Sequence, residues 1–131
     1  MTVKSRDPRL LRLVAAARSA LAAVQNPDIK VAAAVLSGDD QIFTGVQVRS
    51  RSCGHCSTCA EPVALGAALA VSTHDLEACV AVVRTDSGID VWSPCGTCRE
   101  LLRDLKITTV IVAEHDGAIT TATPEKLLPW A

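Results

Sequence analysis

Glu61 stands two residues after Cys59, and a Cys95-Gly96-Thr97-Cys98 pair follows farther along the chain. Pro62 and the apolar run behind it predict a helix that begins at Cys59, because proline is tolerated in a first turn. Leu101, Leu102 and Leu105 at helical spacing predict a second helix that begins at the Cys95–Cys98 pair. All three thiols therefore lie at helix N-termini, where unpaired N–H groups and the positive end of the dipole favour thiolate. Thiolates are good zinc ligands, and three of them leave the fourth tetrahedral position open for a water whose pKa the metal draws towards about 7. Glu61 falls close enough to meet that water without being a ligand.

The remaining cysteines leave a competing assignment open. Cys53 and Cys56 could join Cys95 and Cys98 in a closed four-thiolate site, which would be structural and would make the protein a binding module. That reading gives Cys59-Ala60-Glu61 no task and puts half the ligands in a polar loop. Otherwise Cys53 and Cys56 line the entrance or pack beneath the loop. His55 between them is read either as a substrate contact or as a surface histidine. Cys79, in a valine-rich run, is expected to be a small buried hydrophobe. His74 and His115, near element ends, are expected to be solvated.

The elements that must hold these groups can be read from pattern. Asp7-Pro8 and the apolar residues from Leu10 to Val24 predict a capped first helix that ends near Asn26-Pro27. Residues 30–36 and 41–48 predict a hairpin around Ser37-Gly38-Asp39-Asp40, followed by a cysteine-bearing loop over 49–58 and a helix over 62–74. Residues 78–84 read as a buried strand, 86–94 as a loop, 97–106 as a helix, 108–113 as a strand, His115-Asp116-Gly117 as a turn and Thr123-Pro124-Glu125 as the start of a short last helix. This order predicts an α/β fold with helices on both faces of the sheet, and parallel strands joined by right-handed crossovers.

At 131 residues the chain is expected to form one domain spanning 1–131. Apolar residues make up 49% and the only aromatics are Phe43, Trp92 and Trp130, so the core must be built from Ala, Val and Leu. A net charge of −1 with no basic patch argues against nucleic acid as a partner. No apolar run approaches the length of a membrane span, and the arginine-threaded first helix does not resemble a signal peptide; the expectation is a soluble cytoplasmic protein. Six cysteines in such a chain point to metal or chemistry rather than a disulfide framework.

Cys59-Ala60-Glu61 together with Pro94-Cys95-Gly96-Thr97-Cys98-Arg99 resembles the paired signatures of the cytidine deaminases. The likeness runs from Lys30 to Trp130: Gly45-Val46-Gln47-Val48 is similar to the family's nucleoside-binding strand, and Glu125-Lys126-Leu127-Leu128-Pro129 to its terminal helix. The resemblance implies a three-layer α/β/α sandwich with a mixed sheet, assembled as a homotetramer. It implies Zn2+ on Cys59, Cys95 and Cys98, with Glu61 moving the proton from the activated water to the ring of a small amino-pyrimidine. Backbone groups of Ala60 and Ser93 would meet the pyrimidine edge. The implied reaction converts the exocyclic amine of a cytosine-type nucleoside to the uracil-type product plus ammonia.

The sequence departs from that pattern at the sugar. Ordinary cytidine deaminases hold the ribose with Asn-x-Glu, and this chain has Gln47 and Arg49 there. Gln47 could keep an amide contact, but Arg49 replaces an acceptor with a donor and inverts the charge. Arg49 is read either as facing an anionic group on an altered nucleoside or as a solvated strand end. Pro62 stands where short-class enzymes often place an arginine that offsets the thiolate charge, leaving the helix dipoles or Arg99 to compensate. In this it is closer to the blasticidin S deaminases. A blasticidin S-like antibiotic, a free base or another amino-heterocycle therefore stands beside cytidine as a candidate substrate. Trp130 is a candidate for the aromatic that relatives fold over a neighbour's base, or packs at a subunit contact.

Overall fold

The computed structural model describes residues 7–72 and 74–129. Trp130 lies outside the described residues. Three α-helices, α1 (Pro8–Ala22), α2 (Ala60–Val71) and α3 (Gly96–Asp104), accompany six strands. The strands are β1 (Val31–Ser37), β2 (Ile42–Val46), β3 (Leu76–Thr85), β4 (Gly88–Trp92), β5 (Thr109–Ala113) and β6 (Ile119–Ala122). Short 3-10 helices occupy Gly54–Cys56 and Pro124–Leu127.

The sheet runs β2-β1-β3-β5-β6, with β4 paired to the far end of β3. β1 is antiparallel to both β2 and β3, and β3 is parallel to β5. The β2-α2-β3 and β3-α3-β5 connections therefore join parallel strands, as the element order predicts, within a sheet that is mixed overall. Side chains alternate across it. Ala32, Ala34, Leu36, Ala78, Val80 and Val82 pack with Leu13, Val14, Ala17 and Leu21 of α1. Ala33, Val35, Cys79, Ala81 and Val110 pack with Ala60, Ala64, Leu65 and Ala68 of α2 and Leu102 of α3. One helix on one face and two on the other give three layers, and β1, with every residue after Val31 buried, lies inside the sheet between β2 and β3.

The hydrophobic pattern missed two strands, and both are short antiparallel partners. Residues 86–94, expected to be a loop, contain β4. Gly88 has φ 137° and carries the turn that returns the chain along β3, from Thr85 opposite Gly88 to Ala81 opposite Trp92. β6 follows the predicted turn, where Gly117 at φ 84° lets the chain reverse and pair with β5. α2 ends at Val71, short of the expected His74, and α1 ends at Ala22. His74 is also not simply solvated, because its Nδ1 lies 3.4 Å from Asp39 Oδ2.

Local chemistry explains the helix starts. Asp7 caps α1, its carboxylate accepting from the Arg9 amide at 2.9 Å, with Pro8 in the first turn. Arg9 then reaches Asp40 in the β1–β2 turn at 2.7 Å and Glu77 on β3, tying α1 to the sheet. Gly45 permits the close approach of β2 to α2: a Cβ there would lie 2.6 Å from the Ala64 amide nitrogen and 2.8 Å from Val63 Cγ1.

Candidate active site

Cys59 is the residue immediately before α2 and Cys95 the residue immediately before α3, both in extended backbone, while Cys98 lies in the first turn of α3. The sheet brings these two helix starts together. The Cys59 and Cys95 sulfurs are 3.7 Å apart, and all three sulfurs lie within 4.8 Å of one another. A tetrahedral zinc with Zn–S bonds of about 2.3 Å needs sulfurs about 3.8 Å apart, so the donor set fits that metal in both chemistry and spacing.

The thiols do not share one proton affinity. Burial pushes the Cys98 thiol far up, and the neighbouring Glu61 charge adds to it. Burial and the Cys95 thiol raise Cys59 as well. Cys95 is drawn down although burial opposes this, because the Cys98 amide and the Cys98 and Cys59 thiols hydrogen-bond to its sulfur. Cys95 is thus the sulfur prepared as thiolate, and the others release protons as a cation arrives.

Glu61 is 4% exposed, in a cluster otherwise made of Ala60, Ala64 and Leu65 on the buried face of α2. Burial raises its carboxyl above the usual range, opposed by its own backbone amide and by a hydrogen bond from the Cys98 thiol. A carboxyl lifted in this way and held against a ligand thiol is suited to exchanging protons. Ala60, between Cys59 and Glu61, is fully buried and carries only a methyl group. Ser93 is half-buried two residues before Cys95, on the segment that leaves β4. Arg99 donates from Nε to the Pro94 carbonyl at 2.7 Å and from a terminal nitrogen to the Leu127 carbonyl at 2.9 Å, bracing the loop that presents Cys95.

Gln47 and Arg49 lie just beyond β2 and line a cavity of about 940 Å3 together with Asn26, Asp28, Lys30 and Arg51. The Gln47 carbonyl oxygen accepts from the Lys30 and Val31 amides at 2.6 and 3.0 Å, which leaves its NH2 group as the end able to meet a ligand. Arg49 is exposed on the cavity wall. The cavity connects to the thiol cluster along the chain: Val48 and Thr58 exchange backbone hydrogen bonds of 2.9 and 2.7 Å, and Cys59 is the next residue.

Cys53 and Cys56 are joined to each other by a disulfide, on a loop in which no residue from 48 to 59 is buried. The four-thiolate assignment is therefore not the arrangement adopted; Cys59 supplies the third sulfur instead. Cys79 is 1% exposed in the core, its thiol pushed far up by burial, as expected of a small hydrophobe.

Comparison with known proteins agrees with this geometry. Residues 5–114 match the cytidine and deoxycytidylate deaminase zinc-binding region. The chain is 33% identical to a blasticidin-S deaminase of Bacillus cereus over 104 residues, covering 76% of this chain and 74% of that one. It is 32% identical to a cytidine deaminase of Halalkalibacterium halodurans over 104 residues, covering 78% and 76%. The crystal structure of cytidine deaminase from Burkholderia pseudomallei superposes with a TM-score of 0.74 at 29% identity, covering 92% of this chain and 97% of that one. Because the match spans both cysteine signatures and the sheet that unites them, the chain belongs to the cytidine and deoxycytidylate deaminase family and is a zinc-dependent aminohydrolase.

Proposed function

We propose that this domain hydrolyses the exocyclic amine of a cytosine-type nucleoside to the uracil-type product and ammonia, and that the preferred nucleoside carries an altered, anionic group in place of a plain ribose. Cys59, Cys95 and Cys98 would hold zinc, which would supply the Lewis acidity that activates water. Glu61 accepts the water's proton, delivers it to the ring nitrogen and then assists the departure of ammonia. The Ala60 and Ser93 backbones hold the pyrimidine edge. Arg49 is the observation that carries the choice of sugar: an exposed guanidinium on the cavity wall, with the Gln47 oxygen already engaged by backbone, suits an acceptor-rich ligand better than a hydroxyl pair. A blasticidin-S deaminase among the relatives is consistent with that preference. Cytidine or deoxycytidine is the second reading, favoured by the Gln47 NH2 group, which can still donate to a hydroxyl oxygen.

Ammonia release from cytidine, deoxycytidine, cytosine and blasticidin S by the zinc-loaded protein discriminates these readings. The expected order puts blasticidin S first, with Arg49→Glu removing the preference. A preference for cytidine that survives Arg49→Glu selects the second reading, and release from none of the four rejects both. Glu61→Gln is expected to lower kcat by about 10²–10⁴-fold with zinc retained.

We further propose that the chain works as a homotetramer. Outside its buried face α2 presents Gly66, Ala67, Leu69, Ala70 and Val71, with Leu69 56% and Val71 67% exposed and no charged residue among them. A helix apolar all round belongs inside an assembly. Sedimentation of the native protein tests this; a monomer at micromolar concentration rejects it.

A further inference from the structure

We propose that Cys53 and Cys56 form a second chemical site, a thiol–disulfide exchange pair on the loop before Cys59, whose co-substrate is a small anionic thiol. The pair is a Cys53-Gly54-His55-Cys56 unit closed by a disulfide, with Gly54, His55 and Cys56 exposed and Cys53 half-buried. As a staple it does little. The stabilisation a disulfide confers grows with the loop it closes, and this one joins cysteines three residues apart on a 3-10 helix with no buried residue.

The loop keeps its shape by other means. The paired Val48–Thr58 hydrogen bonds close its base, the Ser50 amide donates to Ser57 Oγ at 3.0 Å, and the Cys53 amide donates to Ser50 Oγ at 3.1 Å. Opening the bond therefore leaves the frame standing, which a reversible exchange site requires. The charge selects the reagent: from Gln41 to Ala60 the chain has Arg49 and Arg51 and no acidic residue, and with Asp28 reaching in from outside to pair Arg51, Arg49 is the positive charge left on this stretch. The resulting positive field draws an anionic thiol towards the exposed bond.

The exchange balances with the thiol as reductant. Its thiolate attacks one sulfur, the S–S bond breaks, and the displaced protein thiolate takes a proton, for which the imidazole of His55 is the adjacent carrier. A second thiol attacks the mixed disulfide and leaves as the small-molecule disulfide. In total two thiols are oxidised and Cys53 and Cys56 become two thiols. Zinc held by Cys59, Cys95 and Cys98 would keep those thiols out of the exchange, and burial excludes Cys79.

The zinc-loaded protein equilibrated in glutathione buffers of graded thiol-to-disulfide ratio, then alkylated and analysed by peptide mass spectrometry, tests this. Cys53 and Cys56 are expected to pass together and reversibly between bonded and alkylated forms, with zinc content and circular dichroism unchanged. At low salt glutathione should react faster than uncharged 2-mercaptoethanol per thiolate, the advantage shrinking as salt is raised. A bond that opens only when the protein is unfolded, or cysteines that are alkylated in every buffer, would overturn the proposal. Cys53→Ser with Cys56→Ser should keep full zinc content; loss of zinc would assign the pair to the metal instead. Equal rates for the two reagents would overturn the assignment of an anionic co-substrate.

Discussion

Arg99 shows how a single side chain can serve the metal loop without touching the metal. Its fork accepts no substitute of similar charge: Nε and a terminal nitrogen reach carbonyls at Pro94 and Leu127, one just before Cys95 and the other at the end of the last 3-10 helix. With Pro62 in the position that short-class relatives often give to arginine, this guanidinium is also a positive charge held beside the Cys95 loop. Arg99→Ala is expected to destabilise the fold by about 1.5–3 kcal/mol, the range for hydrogen bonds to a charged group. Lysine keeps the charge but cannot span two carbonyls in fixed geometry, so Arg99→Lys should recover only part of the loss. Urea unfolding of the zinc-loaded variants checks this. Full recovery with lysine would mean that charge, and not the tether, is what the loop needs. Spacing pointed to the three thiols and to Glu61 beside them, and the family resemblance supplied the role proposed for Glu61. They could not announce the Arg99 tether, since its partners are backbone carbonyls, one of them 28 positions away.

β2 and α2 work as one unit, and Gly45 is where they meet. The contact explains why a strand with half-buried residues tolerates glycine: any side chain would press on the α2 backbone, and α2 follows directly on Cys59 and carries Glu61 in its first turn. Gly45→Ala is expected to cost about 1–3 kcal/mol of stability, as overpacking does. It should also lower kcat by up to about 10²-fold, because small displacements of catalytic groups are expensive in rate. Chemical denaturation and steady-state turnover measure the two effects. The β1–β2 turn adds a pH dependence. The Ser37 hydroxyl, aided by the Asp39 backbone amide and opposed by burial, holds the Asp39 carboxyl below its ordinary value near 3.9. Its contribution to stability is therefore complete above that pH and lost as the solution is acidified through the folded value. Asp39→Asn should lower the melting temperature at pH 7, with the difference closing below about pH 3.9. The elements themselves were legible where one face is apolar over many residues, as in α1, α2, β1 and β3. β4 and β6 were not, because each has five residues or fewer and is defined by the glycine turn before it more than by its own alternation. Asp86-Ser87-Gly88 and Asp116-Gly117 were the available signals, since a glycine turn between β-prone runs makes a hairpin.

At the scale of the whole molecule the zinc site is a joint between two helices that otherwise share little. α2 and α3 lie on the same face of the sheet, and each packs mainly downward, through Ala64, Leu65 and Ala68 in one case and Leu102 in the other. Their N-termini come together at Cys59, Cys95 and Cys98. Without a cation these sulfurs form a crowded cluster whose burial and mutual proximity resist complete ionisation. Metal binding thus performs two linked tasks: it ionises the thiols, and it fastens α3 to the helix that carries Glu61. The linkage has a sign. Cys59 and Cys98 have raised proton affinities, so zinc uptake must expel protons, and affinity for zinc must fall as pH is lowered. Ligand binding stabilises the native state by about 4 kcal/mol when free ligand exceeds its Kd by a thousandfold. Removing zinc with a chelator is accordingly expected to lower the melting temperature by roughly 10–20 °C for a domain of this size, using the few degrees that each kcal/mol is worth. Readdition in a weakly buffered solution should release protons in proportion to zinc bound and restore the transition. Cys98→Ser should blunt both the proton release and the thermal shift, whereas Cys79→Ser, far from the cluster's sulfurs in function though buried in the same core, should leave the proton release intact. A melting curve indifferent to chelation would show that the sheet alone holds the two helix starts together.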